Sequence, residues 1–200
     1  MEPFTKITAV AVPIDQPNVD TDQIIPARFL GSPRPDQVKG FFRDVRLDPN
    51  GQPKEGVTLN NPVYAGAKII VANNNFACGS SRESAVTVMY DNGYRAFIAP
   101  SFGDIFFNNC FQNGVVPVRL PAERAARLRA LLHASPGAQV SVDLAAQTVT
   151  SPDGEIDRFE IDSFRKDCLL KGLDEVSLTL GYEADIARFE QRQKGELSWL

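Results

Sequence analysis

The chain has 200 residues, enough for one sizeable core, and its 43% hydrophobic and 23% charged content is that of an ordinary globular protein. A net charge of −4 without a local basic run gives no electrostatic reason to expect nucleic acid. No apolar stretch approaches the roughly 18–20 residues of a membrane span, and Met1-Glu2-Pro3-Phe4-Thr5-Lys6 has no apolar signal core, so a cytoplasmic location is expected.

Residues 7–12, Ile-Thr-Ala-Val-Ala-Val, predict a first strand closed by Pro13. In Asp20-Thr21-Asp22-Gln23-Ile24-Ile25-Pro26 two acids lie two residues apart. They suit either a divalent cation or turn and N-cap duty, and the further ligands and glycine of a calcium loop are missing. Residues 31–56 are punctuated by Gly31, Pro33, Pro35, Gly40, Pro49, Gly51, Pro53 and Gly56 and predict a long loop, either working or flexible. Arg28, Arg34, Lys39, Arg43 and Arg46 make that region basic, as an anionic ligand or a solvated face would require. With little apolar surface to bury, 31–56 is expected to be partly disordered and to act as a mobile substrate loop.

From residue 67 the pattern sharpens. A strand at 68–72, a helix at 82–90 stopped by Asp91-Asn92-Gly93, and a strand at 95–99 form a βαβ unit. The intervening turn, Asn75-Phe76-Ala77-Cys78-Gly79-Ser80-Ser81-Arg82-Glu83, combines two hydroxyls, a guanidinium and the positive end of a helix. Such a turn receives a carboxylate or phosphate; the bland alternative is that Ser80 and Glu83 form a capping box and Arg82 lies in solvent. A second helix is expected from Pro100-Ser101, with Ser101 and Asp104 at cap spacing, to about Gln112, then a strand at 115–118. Two serine-opened turns after successive strands point to a ligand at the C-terminal edge of a parallel sheet.

Residues 122–132 predict a helix ended by Pro136-Gly137. Alternation at Val140, Val142 and Leu144, the run at Val149 and the Asp153-Gly154 turn predict a small antiparallel meander. Asp162-Ser163 caps a helix to Leu170, and residues 183–193 predict a terminal helix ahead of Trp199-Leu200. The whole reads as one α/β domain, 1–200, with a C-terminal helical extension at 182–200. Cys78, Cys110 and Cys168 lack metal-site spacing and read as reduced, mostly structural thiols. His133, the single histidine, falls near a helix end, where a dipole contact suits it, and a Ser-His-Asp triad has little support.

The segments Asp20–Pro26, Asn75–Glu83, Ile98-Ala99-Pro100-Ser101-Phe102-Gly103-Asp104-Ile105-Phe106, Val116-Pro117-Val118 and Gly172-Leu173-Asp174-Glu175-Val176-Ser177-Leu178-Thr179-Leu180, in that order, resemble the aconitase superfamily and within it the family of bacterial 3-isopropylmalate dehydratase small subunits. The resemblance spans roughly residues 5–181. It implies a β/β/α three-layer swivelling domain of the aconitase C-terminal type. It also implies no cofactor on this chain and a [4Fe-4S] cluster on a separate large subunit with which it pairs. The reaction implied is conversion of 2-isopropylmalate to 3-isopropylmalate, through a dehydrated intermediate, in leucine biosynthesis.

By the same resemblance Ser80 is the base that takes the carbon-bound proton, Ser81 and Arg82 hold substrate, Asp22 is an active-site aspartate and Arg34 a second substrate-binding arginine. A Ser80 spent on capping would leave Ser81 as the freer hydroxyl. Ser84 stands where the family usually has histidine, and Pro33-Arg34-Pro35 replaces the common Lys/Arg-Thr-Gly loop. Those departures leave two alternatives: a dehydratase subunit for a related malate (citramalate/citraconate, dimethylmalate or homocitrate type), or a non-catalytic anion-binding module.

Overall fold

The computed structural model describes residues 1–79 and 82–196. One seven-stranded sheet runs in the order β4-β3-β2-β1-β5-β6-β7. Its parallel half consists of β1 (Lys6–Ile14), β2 (Ile69–Ala72), β3 (Ala96–Ala99) and β4 (Val116–Arg119). Its antiparallel half adds β5 (Gln139–Asp143), β6 (Thr148–Thr150) and β7 (Ile156–Arg158) to the other side of β1. β2 and β3 are apolar throughout and buried at every position, as strands covered on both faces must be. Pro117 sits in β4, an edge strand, where its missing N–H costs no ladder bond.

β1 extends beyond the predicted stop and includes Pro13. Its first part, Lys6 to Val10, pairs with β5, and its second, Ala11 to Ile14, pairs with β2. Pro13 therefore lies where β5 no longer runs alongside, and an imide nitrogen is tolerated there.

Strand alternation splits the core in two. Ile70, Ala72, Phe97 and Ala99 face α4 (Glu83–Asp91), α5 (Asp104–Gln112) and the plug Ile24, Ile25, Phe41 and Phe42. Ile69, Val71, Ala96 and Ile98 face α6 (Ala122–Ala134) and the meander residues Val140, Val142, Leu144 and Val149.

The segment between β1 and β2 is built from α1 (Thr21–Ile24), α2 (Arg34–Gln37), α3 (Arg43–Arg46) and short 3-10 turns. Phe41 and Phe42 are buried, so the apolar content of 31–56 is concentrated at one anchor. The stretches on either side, 31–39 and 48–56, carry no buried residue.

After β7 come α7 (Ser163–Lys171), α8 (Glu175–Leu180) and α9 (Glu183–Glu196). Asp162 caps α7 through the Arg165 N–H at 3.0 Å, and Gly172 closes it in the left-handed region. α8, which the sequence reading passed over, is only six residues long; Asp174 caps it. Trp199 and Leu200 lie outside the described residues.

Candidate active site

Three loops leave the C-terminal ends of β1, β2 and β3 and are laced together. Asn18 N–H donates to Asn74 O at 2.9 Å, Cys78 N–H to Val19 O at 3.1 Å, and Thr21 N–H to Cys78 O at 3.0 Å. On the other side, Phe76 N–H donates to Ser101 O and Gly103 N–H to Phe76 O, both at 3.0 Å. Side chains add two links: Asn75 N–H donates to Ser101 Oγ at 2.8 Å, and Asn75 Nδ2 to Asn18 Oδ1 at 2.8 Å. The β2 loop carrying Asn75 to Gly79 thus hangs between its neighbours. Asn75, Ala77 and Gly79 all have positive φ, at 57°, 56° and 89°.

The two acids of the first motif divide their duties. Asp20 caps α1, accepting the Gln23 N–H at 2.8 Å. Asp22, on the first turn, is exposed and forms an ion pair with Arg82 across from the β2 loop. Arg82 itself is only 20% exposed. It is held against the body of the domain at the N-terminal end of α4, where the helix dipole adds to its charge. An incoming carboxylate can take the place of Asp22 on that guanidinium.

Two helix starts differ from the sequence reading. The N-cap of α4 is Arg82, without a side-chain cap bond, so Glu83 stands at the first helical position; Ser80, the other half of the expected capping box, lies outside the described residues. The Glu83 carboxylate instead accepts from Asn113 Nδ2 at 3.1 Å. α5 begins at Asp104 with Gly103 as its uncapped N-cap, and Ser101 spends its hydroxyl on the β2 loop rather than on the helix. Cap spacing alone could not separate these uses, because serine serves a turn and a neighbouring loop equally well.

Ser80 and Ser81 lie outside the described residues, between Gly79 and Arg82. Arg34 is not brought to this place. Its guanidinium makes a bidentate pair with Asp91, at 2.8 and 2.9 Å, at the far end of α4, about 13 Å along a nine-residue helix from Arg82.

A second cluster lies at the same sheet edge. Buried Arg129 of α6 donates to Ala72 O at 2.9 Å and to Asp15 Oδ1 at 3.0 Å, and the His133 ring meets the other oxygen of Asp15. Asp15 O in turn accepts from Asn73 Nδ2 at 2.8 Å. His133, in the last turn of α6, therefore contacts a carboxylate, a pairing across 118 residues that no local pattern signals.

The thiols do not form a donor set for a cluster. Cys110 and Cys168 are buried, and burial pushes the Cys110 thiol well above its ordinary pKa. Cys78 is half-buried in the β2 loop. Among the described residues, no three His, Cys, Asp or Glu side chains converge as metal ligands. No described helix is long and apolar enough to cross a membrane.

A mixed α/β sheet of this topology, with its loops laced together at the C-terminal edge of the parallel strands, is that of an aconitase C-terminal-type domain. Residues 1–123 match the family model described as Aconitase C-terminal domain, and residues 126–163 match LeuD_N. The chain is 49% identical over 201 residues to the 3-isopropylmalate dehydratase small subunit of Paramagnetospirillum magneticum, covering 100% of both chains. It is 50% identical over 206 residues to the protein of the same name from Leptospira interrogans, covering 100% of this chain and 98% of that one. A crystal structure of 3-isopropylmalate dehydratase (leuD) from Methanocaldococcus jannaschii superposes with a TM-score of 0.68 over 92% of this chain and 98% of that one; at 23% identity it speaks for the fold alone. The chain belongs to the aconitase C-terminal domain family, in its group of 3-isopropylmalate dehydratase small subunits.

Proposed function

We propose that the chain is the small subunit of a cytoplasmic hydro-lyase that interconverts 2-isopropylmalate and 3-isopropylmalate by dehydration and rehydration in leucine biosynthesis. The observation that carries this reading is near-half identity, over the full length, to relatives that bear that name. Its partner is the large subunit, to which the [4Fe-4S] cluster and its Lewis-acid help to the leaving hydroxyl are assigned.

This chain's share is the proton and the carboxylates. Ser80 removes the carbon-bound proton; it follows Gly79 and precedes Arg82, so its alkoxide forms beside a guanidinium and a helix N-terminus. Ser81 and Arg82 grip the substrate, Arg82 exchanging Asp22 for a substrate carboxylate while Asp22 stays at the rim of the cleft. Arg34 is stored on Asp91, and the exposed arm 31–39 must swing for it to reach the substrate; that swing is the mobility assigned to the loop.

The test is turnover of 2-isopropylmalate by the chain reconstituted with its large subunit. Ser80→Ala and Arg82→Ala are each expected to lower kcat/KM by about 10²- to 10⁴-fold. Survival of full turnover in both variants would overturn the site, and a preference for another malate in a substrate panel would overturn the substrate.

A further inference from the structure

A cleft of about 670 Å³ opens between α5, the end of β4 and the segment that joins β7 to α7. Its volume falls within the roughly 300–1,000 Å³ usual for small-ligand sites. Phe107 of α5 lines it together with the buried Phe111 and Phe159, and Arg119, Arg158 and Arg165 bring three guanidinium groups to the same space. None of the described residues from Asp15 to Asp22 or from Asn73 to Arg82 takes part, so the cleft is separate from the candidate active site.

Rings, not acids, hold two of these arginines. Arg119 Cζ stands 3.8 Å from the centroid of the Phe107 ring, and Arg165 Cζ stands 4.6 Å from that of Phe111. Arg165 also donates to Asn108 Oδ1 at 2.8 Å. Among the described residues Arg119 and Arg158 donate no side-chain hydrogen bond and join no ion pair, although Glu160 and Asp162 line the same cleft. Arg124 and Arg127 on α6 show the ordinary outcome in this half of the molecule, closed pairs with Asp153, Glu155 and Asp157. A guanidinium over a ring keeps its charge, is weakly hydrated and leaves its planar N–H fork open to a carboxylate.

We propose that this cleft is a second ligand site, one that takes a small organic monocarboxylate with an aromatic or branched apolar body. The phenylalanines receive the body, and Arg119 and Arg165, each set over a ring, receive the carboxylate. Charge sets the valence. Three guanidinium groups against the carboxylates of Glu160 and Asp162 leave one positive charge over, which favours a single carboxylate above a phosphate dianion. Asp162 is already spent on the Arg165 N–H at the start of α7, and Glu160 is exposed, so neither is closed onto an arginine side chain. The proposal does not depend on the dehydratase assignment, because it uses none of that site's residues.

The full chain is titrated with 3-phenylpropionate by calorimetry, and the contact is mapped by backbone amide shifts. Binding is expected, with the largest shifts at Phe107, Phe111 and Arg165. 3-Phenylpropionamide keeps the body and lacks the charge, and acetate lacks the body. These two and inorganic phosphate should each bind at least about tenfold more weakly. Arg119→Gln and Arg165→Gln should each weaken 3-phenylpropionate about 10-fold, the loss of a charged hydrogen bond, with melting temperatures near the parent's. Arg82→Gln should bind it like the parent.

No binding, or equal affinity for the amide, acetate or phosphate, overturns the proposal. So does a loss in Arg82→Gln beside parental binding in both Arg119→Gln and Arg165→Gln, which would seat the probe at the candidate active site. Titration of the reconstituted two-subunit enzyme gives the last outcome. If assembly abolishes binding, the cleft is a surface covered by the large subunit and not a ligand site, whereas retained affinity upholds it.

Discussion

The two halves of the sheet share β1 but secure their ends by different means. In the meander, the β6–β7 turn uses residues that favour the conformation they adopt, while the β5–β6 turn takes Gln147 at φ 55°, held by Phe159, whose N–H donates to Gln147 O and whose carbonyl accepts the Gln147 amide, both at 3.1 Å. Asp143 accepts the Ala146 N–H, and Gly154 takes φ 88° with open space around it. Arg124 and Arg127 of α6 then fasten the β6–β7 hairpin through Asp153, Glu155 and Asp157. At the parallel edge, Asn18, Asn75 and Ala77 all adopt positive φ, and backbone and amide contacts between loops hold them there. Ala77 costs about 1–2 kcal/mol there, and each asparagine, whose short side chain can bond locally, costs less. The antiparallel half strains one turn residue and fastens it within the meander; the parallel half strains three and fastens them between separate loops, and those loops carry the candidate site.

The sharpest way to break that contrast is to remove packing from one half and charge from the other. Leu144 is fully buried on the meander side of the core, and Leu144→Ala is expected to cost about 2–5 kcal/mol in thermal or denaturant unfolding. Asp22→Asn removes one side of an ion pair whose carboxylate is 57% exposed, so stability should move by less than about 1 kcal/mol. In the reconstituted enzyme a substrate carboxylate displaces Asp22 from Arg82, so removing that competitor should leave kcat/KM within about threefold of the parent or raise it. Equal melting shifts for the two variants would erase the distinction between a structural half and a working half.

The sequence made the strands legible because their signals are local. The runs 69–72 and 96–99 are apolar without alternation, and 140–144 alternates, so each announces how many faces it buries. Arg82 was legible from its turn as a cation for an anion, but its meeting with Asp22 was not; nothing in their spacing says that residues 60 positions apart meet. The uses of Ser101, Asn18, Asp15 and Arg129 were illegible, since each makes a long-range bond to a loop whose position depends on the whole sheet. Phe41 and Phe42 were hidden for the opposite reason. Surrounded by glycine, proline and arginine, they read as part of a loop, while the plug they form exists only once α4 supplies the other wall.

A finer probe compares two left-handed glycines. Gly93, after α4 in the parallel half, has φ 94° and no atom within 4 Å of a would-be Cβ. Gly93→Ala should therefore cost only the backbone penalty, about 1–2 kcal/mol. Gly172, after α7, has φ 69°, and a Cβ there would meet Met1 O at 2.6 Å and the Pro3 ring at 2.9 Å. Gly172→Ala should carry the same penalty plus about 1–3 kcal/mol of overlap with the N-terminal strap. Matching losses in chemical denaturation would mean that the strap yields freely and that the C-terminal helices are not tied to it.

The smallest expected effect concerns pH at the start of α8. The Asp174 carboxylate accepts the Ser177 N–H at 2.8 Å and the Ser177 hydroxyl at 2.7 Å. These contacts, the backbone one first, hold its pKa well below the usual carboxylate range. A carboxyl depressed in the folded state stabilises that state fully above its unfolded pKa, and the contribution drains away as pH falls through the folded value. Asp174→Asn keeps an N-cap but loses the charge, including the ion pair with the Met1 ammonium at 3.1 Å, so it should melt somewhat below the parent near neutral pH. Below about pH 4 the two should converge, because the parent loses a charge-dependent contact that the variant never had. Melting curves recorded from about pH 6 down to about pH 2 read this directly. Parallel acid limbs would show that the α8 cap is decoupled from folding, and that the C-terminal arm, like the loops of the parallel edge, depends on its neighbours rather than on its own end groups.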